Sequence, residues 1–203
     1  MMIKSILAGF VIGIGGTAYL SCDNQYIGAF LFSIGLLLVF MFRFNLYTGK
    51  VPYIKLNIGY FKQIGKILVG NIIGAGGLGI ILSFTNLQIS QKAAVLCNRK
   101  LSEGWRIIPL AIMCNILIFF AVEAWKSWGK NLEIDGSVRA PMVILCVMAF
   151  IICGFEHSIA NVFYFSLGRV FTLKALLYLI INIIFNGIGG FMIRHAVSQH
   201  NKR

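Results

Sequence analysis

Long apolar stretches separated by short polar connections run the length of the chain. They lie at residues 5–21, 27–42, 67–84, 107–125, 140–155 and 175–193. A helix that crosses the ~30 Å hydrocarbon core of a bilayer needs roughly 20 largely apolar residues, so the pattern predicts six transmembrane helices. The longest connections, near residues 85–106 and 126–139, are only long enough to join helices. We therefore expect an all-α integral membrane protein in which residues 1–203 form a single transmembrane domain.

Composition supports a lipid environment. Of the 203 residues, 59% are hydrophobic and 12% are charged, a balance that a water-soluble domain of this size could not bury in one core. The first stretch also has features of a signal peptide, with Lys4 before it and Cys22 after it. Because Tyr19 and Leu20 fit a cleavage site poorly, we expect this stretch to remain as the first helix.

The formal net charge of +12 is explained first by membrane topology, since lysine and arginine are retained on the cytoplasmic side. If both termini are cytoplasmic, twelve basic residues lie inside and six lie outside. The outer residues are Lys92, Arg99, Lys100, Arg106, Arg169 and Lys174. We therefore expect a multi-pass protein of the inner (plasma) membrane with cytoplasmic N- and C-termini. Cations at a pore mouth also raise the local concentration of anions.

Other uses of the basic and sulfur-containing residues are not expected. The cations are scattered over loops and helix ends without an interleaved aromatic platform, which argues against nucleic-acid binding. The five cysteines form no CxxC pair, and most fall inside apolar stretches, where cysteine acts as a small hydrophobic residue. We expect no disulfide, no metal site and no cofactor.

A weak internal repeat divides the chain into halves, at about residues 1–90 and 105–203. The third and sixth apolar stretches each contain Asn-x-x-Gly, at Asn71 and Asn186. Glycines spaced four residues apart, such as Gly70 and Gly74, place small residues on one helix face and favour close helix packing. The repeat therefore predicts two related halves that pack tightly together.

The second apolar stretch of each half is followed by a short apolar piece, residues 51–61 in the first half and 159–167 in the second. At about ten residues, neither piece spans the bilayer alone, so helices 2 and 5 are predicted to be interrupted. Paired interrupted helices indicate a transport pathway. The alternative is a surface loop at residues 45–50 and a water-exposed helix end at Glu156.

His157 is the one histidine outside the C-terminal tail, and it follows Glu156 beside apolar sequence. An ionisable residue inside the membrane is costly and is a functional-site candidate by default; a hydrogen-bonded structural histidine is the alternative. Imidazole can donate a hydrogen bond or a proton to an anion that has shed its water. Glu156 is expected to be structural, because a carboxylate in the path would repel an anion. It would accept hydrogen bonds from backbone N–H groups freed by the break, or hold His157 protonated.

The sequence around His157 resembles the signature of the formate/nitrite transporter family, whose fifth helix breaks at this histidine. The matching run is residues 154–163, GFEHSIANVF. Residues 45–50 (NLYTGK), 70–75 (GNIIGA) and 114–117 (CNIL) resemble the family's loop, third-helix and fourth-helix motifs in the same order. The resemblance extends over essentially the whole chain.

The resemblance implies an aquaporin-like fold of six helices and a homopentamer with one pore per subunit. It also implies a midplane histidine hydrogen-bonded to a loop threonine, here His157 and Thr48. Asn161 is placed in the same pathway, and Lys100 matches a lysine that attracts anions at the outer vestibule. Glu156, Asn71 and Asn186 are expected to give structural support.

The family's spacing also singles out two hydrophobic constrictions. Phe32, Leu36 and Phe150 match the first, and Leu46 and Tyr47 match the second. Taken alone, such apolar side chains are usually core or lipid-facing packing, so these assignments depend on the resemblance.

The chain departs from the family pattern at three points. Asn45 replaces the usual acidic residue, and Tyr47 replaces phenylalanine and adds a hydroxyl expected to ease hydration of the constriction. The chain begins almost directly with its first helix, so gating by an amphipathic N-terminal segment is not expected.

These features predict a channel or transporter, not an enzyme, for small monovalent anions such as formate, nitrite or hydrosulfide. The anion would lose water at the first constriction and meet His157, which lends it a hydrogen bond or a proton. Because a protonated weak acid bears little desolvation cost, the rate of transport should rise steeply as pH falls. The alternatives are a non-transporting structural membrane subunit and a redox subunit, which would require opposed haem-ligating histidines.

Overall fold

The computed structural model describes residues 1–54, 57–127 and 136–200, and its regular elements in these ranges are helices. Four basic residues that entered the charge count lie outside the described ranges, namely Lys55, Lys130, Lys202 and Arg203. The helices are, in chain order, α1 (Met2–Ser21), α2 (Gln25–Met41), α3 (Tyr47–Lys50), α4 (Ile58–Thr85), α5 (Leu87–Ser102), α6 (Ile107–Ser127), α7 (Arg139–Ile152), α8 (Ser158–Leu167) and α9 (Leu173–His200).

Helices α1, α4, α6 and α9 each contain an apolar span long enough to cross a bilayer. The shorter apolar helices α2 and α7 are each followed by a break, after which the chain continues as α3 and α8. This arrangement confirms the expected all-helical membrane architecture with interruptions in the second and fifth crossings, and it is compatible with six crossings.

Helices α2 and α7 end in the same way. Arg43 and Gly154 have left-handed backbone conformations, with φ of 52° and 68°. A residue in this conformation ends a helix, because the next N–H then turns back to a carbonyl of the last turn. This bond is 2.9 Å long for Phe44 and 2.8 Å long for Phe155, each to the carbonyl five residues earlier. The two halves of the chain therefore break their helices by equivalent geometry.

The segments that follow the two breaks differ. The second is the ten-residue helix α8, close to the predicted piece at residues 159–167. The prediction of a half-helix at residues 51–61 was wrong. A 3₁₀ turn at Val51–Tyr53 follows the four-residue α3, and Asn57 then begins α4 by accepting a hydrogen bond from the Tyr60 N–H at 2.8 Å. Residues 58–61 thus belong to the third crossing.

The polar connection at residues 85–106 contains helix α5, which the search for apolar stretches missed because one face of this helix is polar. Asn86 begins α5 by accepting a hydrogen bond from the Ile89 N–H at 3.1 Å. Its buried face carries Ala93, Cys97 and Lys100 and packs against α8. The connection therefore contributes a charged side chain to the protein interior.

Close packing holds each half together, with α1 against α4 in the first and α6 against α9 in the second. A Cβ atom on Gly74 would overlap the Ile6 carbonyl oxygen, and one on Gly189 would overlap that of Ile112. Only glycine allows the helix backbones to approach this closely. The approach brings polar side chains of α4 and α9 beside the helix breaks.

Candidate functional site

Two cavities end near the helix breaks. The larger, called the Lys126 cavity, has a volume of about 290 Å³ and is lined by Val39, Arg43, Leu46, Lys50, Trp125 and Lys126 among others. The smaller, called the His157 cavity, has a volume of about 70 Å³, and its lining includes Phe32, Lys100, Phe150, Glu156, His157 and Asn161. His157 is bonded to Thr48, and Leu46, which precedes Thr48 by two residues, lines the Lys126 cavity. One cavity is therefore lined by His157 itself, and the other by Leu46 and Gly49 from the loop that carries Thr48.

His157 is held at the second break by both of its ring nitrogens. Its Nδ1 accepts a hydrogen bond from the Ala160 N–H at 3.1 Å and so caps the N-terminus of α8. Its Nε2 lies 3.0 Å from the Thr48 hydroxyl oxygen at the first break. Both side chains are buried, with residue exposures of 3% for His157 and 0% for Thr48. The contact expected from the resemblance joins the two breaks.

The cap also determines which ring nitrogen carries the proton. In neutral imidazole one nitrogen donates and the other accepts. Because Nδ1 of His157 accepts from Ala160, the neutral ring carries its proton on Nε2 and donates it to Thr48. An imidazolium would place a second N–H against the Ala160 N–H. The fold therefore favours neutral His157 with its donor directed toward Thr48.

Aromatic rings cover the other side of His157. The Phe150 ring stacks on the imidazole with centroids 5.8 Å apart and an interplanar angle of 21°. The Phe32 ring meets Phe150 edge-on, with centroids also 5.8 Å apart. Leu36, one turn beyond Phe32 on α2, is 1% exposed. The three side chains assigned to the first constriction thus come from the two helices that break, and two of them line the His157 cavity.

The two residues assigned to the second constriction point in different directions. Leu46 lines the Lys126 cavity. The Tyr47 hydroxyl instead donates a hydrogen bond to the Ile183 carbonyl of α9 at 3.0 Å. The proton of this hydroxyl is engaged by a helix backbone. The expected effect of the hydroxyl on hydration of the constriction stays a prediction.

Glu156 lies at the centre of a buried ionic network. Both of its carboxylate oxygens accept from the Lys100 ammonium, at 2.6 and 2.7 Å, and Oε2 also accepts from the Asn161 amide at 2.6 Å. The donors to the carboxylate are therefore these two side chains, and not the freed backbone N–H groups that were expected. The carboxylate is therefore bonded to Lys100 rather than to His157.

The same network changes the interpretation of Lys100 and Asn161. Lys100 lines the His157 cavity, but its charge is paired with Glu156, so it does not act as an unpaired cation in a vestibule. Asn161 also lines this cavity, and its amide nitrogen donates to Glu156 and, at 2.7 Å, to the Asn182 side-chain oxygen. Asn182 in turn donates to the Glu156 carbonyl at 2.7 Å. Sequence analysis missed Asn182, although an amide in the middle of an apolar stretch is a signal for such a role.

Asn71 secures the first break. Its side-chain oxygen accepts from the Tyr47 N–H at 2.7 Å, and its nitrogen donates to the carbonyls of Asn45 and Ser5 at 2.8 and 2.7 Å. The bonds to Tyr47 and Asn45 use backbone groups that the interrupted helix leaves without helical partners. Asn71 therefore ties the loop to α1 and α4.

Asn186 secures the second break with the same set of bonds. Its side-chain oxygen accepts from the Ser158 N–H at 2.9 Å, and its nitrogen donates to the carbonyls of Glu156 and Ala111 at 2.9 and 2.7 Å. In each half the asparagine bonds two residues of the break that are two positions apart, and one carbonyl of the first helix of that half. These bonds give Asn71 and Asn186 equivalent supporting contacts.

Charged groups surround both cavities. Arg43, Lys50 and Lys126 line the Lys126 cavity, and the Lys126 ammonium lies 3.7 Å from the centroid of the Tyr53 ring. At the His157 cavity, burial raises the pKa of the Glu103 carboxyl, the Glu156 carboxylate raises it further, and the Lys100 ammonium opposes the shift. Among the described residues, no three His, Cys, Asp or Glu side chains are grouped to hold a metal ion.

Several curated proteins resemble the chain in sequence. The "Formate-nitrite transporter" of Plasmodium malariae is 28% identical over 204 residues, covering 83% of this chain and 63% of the relative. The "Formate channel FocA" of Haemophilus influenzae is 24% identical, covering 72% of this chain and 55% of the relative. The matches with these two relatives span less than two thirds of their length.

Solved structures show the same fold. An "FNT family ion channel" superposes with a TM-score of 0.81 at 20% identity, covering 98% of this chain and 89% of that structure. A "Pentameric formate channel with formate bound" superposes with a TM-score of 0.72 at 23% identity, covering 97% and 90%. The family model described as "Formate/nitrite transporter" matches residues 1–198. This match, over nearly the whole sequence, confirms the resemblance noted at residues 154–163, and the chain belongs to the formate/nitrite transporter family.

Proposed function

We propose that the protein conducts small monovalent anions of weak acids, of the formate, nitrite or hydrosulfide class, along a path between the two cavities. The observation that carries the proposal is the buried contact between His157 and Thr48, which joins the two helix breaks. Irregular backbone at membrane depth is tolerated where it is buried in protein or lines a cavity, and paired interruptions are typical of transport sites.

The chemistry of the path follows from its lining. Cations of the Lys126 cavity concentrate anions at one mouth. The Phe32 and Phe150 rings remove water from an anion that approaches through the His157 cavity. A bare anion in such a constriction bears a large desolvation cost, which a hydrogen bond from His157 or a proton reduces.

Thr48 works with His157 as a donor. When the imidazole N–H donates to the Thr48 oxygen, the threonine hydroxyl proton is available to a second acceptor. A carboxylate or nitrite oxygen beside this pair would receive a hydrogen bond without displacing the cap at Ala160. The arrangement suits an anion with one charge and little apolar bulk.

Reconstituted protein in liposomes tests this function directly. We expect formate, nitrite or hydrosulfide flux well above that of protein-free liposomes, with larger anions such as lactate and acetate included for comparison. The flux should rise as pH falls from neutral to mildly acidic, because protons that His157 passes to the anion give the neutral acid, which crosses the dry constrictions at little cost. Flux equal to that of protein-free liposomes for every anion would contradict the proposal.

Replacing Phe150 by alanine should loosen selectivity rather than abolish flux. The substitution removes the ring that stacks on His157 and contacts Phe32, and it leaves the His157–Thr48 contact in place. The ratio of lactate to formate flux should increase severalfold, because steric exclusion at the first constriction is lost. Phe30→Ala is the matched control, since Phe30 lies on α2 but is half exposed. An unchanged ratio in Phe150→Ala would argue against a constriction at this ring.

Assembly and location belong to the same proposal. We propose a homopentamer in the plasma membrane with cytoplasmic N- and C-termini, each subunit with its own path. Large apolar side chains such as Ile81 and Phe191 are exposed on α4 and α9, and a protein of the same fold is a pentameric channel. Native mass spectrometry of the detergent-solubilised protein should give five subunits; a stable monomer or dimer would contradict this assembly.

A further inference from the structure

Tyr47 connects the pore loop of the first half to a helix of the second half. Its hydroxyl donates to the Ile183 carbonyl of α9 at 3.0 Å, and its backbone N–H donates to the Asn71 side chain at 2.7 Å. The residue is 6% exposed. A carbonyl oxygen has two lone pairs, so Ile183 can accept this bond and also its bond within the helix. Tyr47 is therefore fixed at its backbone and at the end of its side chain.

Gly187, one turn beyond Ile183, makes room for the Tyr47 hydroxyl. A Cβ atom at Gly187 would lie 3.1 Å from the hydroxyl oxygen and 3.4 Å from a methyl carbon of Val51. The first distance is tighter than ordinary contact, so the hydroxyl would have to move. The absence of a side chain at Gly187 thus matches the presence of a hydroxyl at Tyr47.

The corresponding residue at the other break makes no such bond within the described part of the chain. Ser158 is the counterpart of Tyr47 in the second half. The Ser158 N–H donates to the Asn186 side chain, just as the Tyr47 N–H donates to the Asn71 side chain. The Ser158 hydroxyl is buried and has no hydrogen-bond partner among the described residues. The cross-half bond is therefore a feature of the Leu46 side of the path and not a general requirement of the fold.

We propose that Tyr47 and Gly187 form a tether that limits the movement of Leu46 and so sets the largest anion that passes the second constriction. The inference rests on the proposed function, since it assigns Leu46 to the path. Leu46 is adjacent to Tyr47, is 1% exposed, and lines the Lys126 cavity. Tyr47 acts as a positioning residue, because its hydroxyl bonds a helix and not the permeating anion.

Loss of the hydroxyl alone tests the tether. In liposomes with full-length Tyr47→Phe protein, the ratio of lactate to formate flux should rise about fivefold, the change that loss of one ordinary hydrogen bond allows. The thermal unfolding midpoint in detergent should fall by no more than about 2–4 °C, the shift expected from loss of one hydrogen bond in a chain of this size. A purely structural role would give the same shift and leave the flux ratio unchanged. Tyr26→Phe is the control, since Tyr26 is 63% exposed.

A second substitution, on α9, perturbs the same hydrogen bond between Tyr47 and Ile183. Gly187→Ala should shift the ratio in the same direction as Tyr47→Phe but by less, because it only displaces the hydroxyl. In the Tyr47→Phe background it should add nothing, since the displaced group is already absent. Gly77→Ala is the matched control, because a Cβ at Gly77 meets no atom within 4 Å.

The outcomes separate this inference from the proposed function. Unchanged ratios in both variants, or effects that add in the double variant, would overturn the tether while leaving anion conduction in place. Absence of any flux in the unsubstituted protein would overturn the proposed function instead. The tether is then judged by amide hydrogen exchange of residues 44–51: faster exchange in Tyr47→Phe supports it, and equal exchange rejects it.

Discussion

Lys100→Met is expected to lower the free energy of unfolding by about 3–5 kcal/mol, because it leaves the Glu156 carboxylate buried without a cation. The side chains of Lys100 and Glu156 are 11% and 1% exposed, and the ammonium lies 2.6 Å from Oε1. The Asn161 amide would remain as a neutral partner of the carboxylate. Denaturant unfolding in detergent, followed by tryptophan fluorescence, measures the loss.

A neutral pair should restore most of this stability. In Lys100→Met with Glu156→Gln no charge is buried, and replacing both members of a buried pair by neutral groups is often tolerated. Lys92→Met is the matched control, because the Lys92–Asp23 pair is exposed and should contribute nothing measurable. A Lys100→Met protein as stable as the unsubstituted one, or a double variant no more stable than the single one, would contradict the account of this network.

The second helix break was predictable because its signals are local. A short apolar piece that cannot span a bilayer, and an ionisable residue beside it, identify the break at His157 without knowledge of the fold. The first break was also expected, but the piece predicted after it at residues 51–61 is not a half-helix. The family match confirms the resemblance that rested on residues 154–163. The residue assignments within the path and the division of the chain at residues 90 and 105 stay predictions.

The partners of the polar residues were not predictable from the sequence. Helix α5 is only partly apolar, so nothing in its composition shows that it delivers Lys100 to Glu156, 56 residues later. The direction of the Tyr47 hydroxyl depends on α9, 136 residues away. Such contacts follow from the packing of distant helices, whereas sequence patterns report the environment of each segment separately.

His157→Asn should reduce formate flux by about thirtyfold, roughly the effect of losing one buried hydrogen bond to a charged group. Asparagine is a good helix N-cap and can accept from the Ala160 N–H as Nδ1 of His157 does, so α8 should remain folded. Its shorter side chain would not reach Thr48 as the imidazole does at 3.0 Å. Asparagine also does not titrate near neutral pH.

The most direct test of the central claim is therefore flux through His157→Asn protein in liposomes at neutral and mildly acidic pH, after subtraction of the flux through protein-free liposomes. Near-equal unfolding midpoints of the two proteins would establish that folding is intact. The account predicts low flux that no longer rises as pH falls. Formate or nitrite flux equal to that of the unsubstituted protein, with the same dependence on pH, would contradict it.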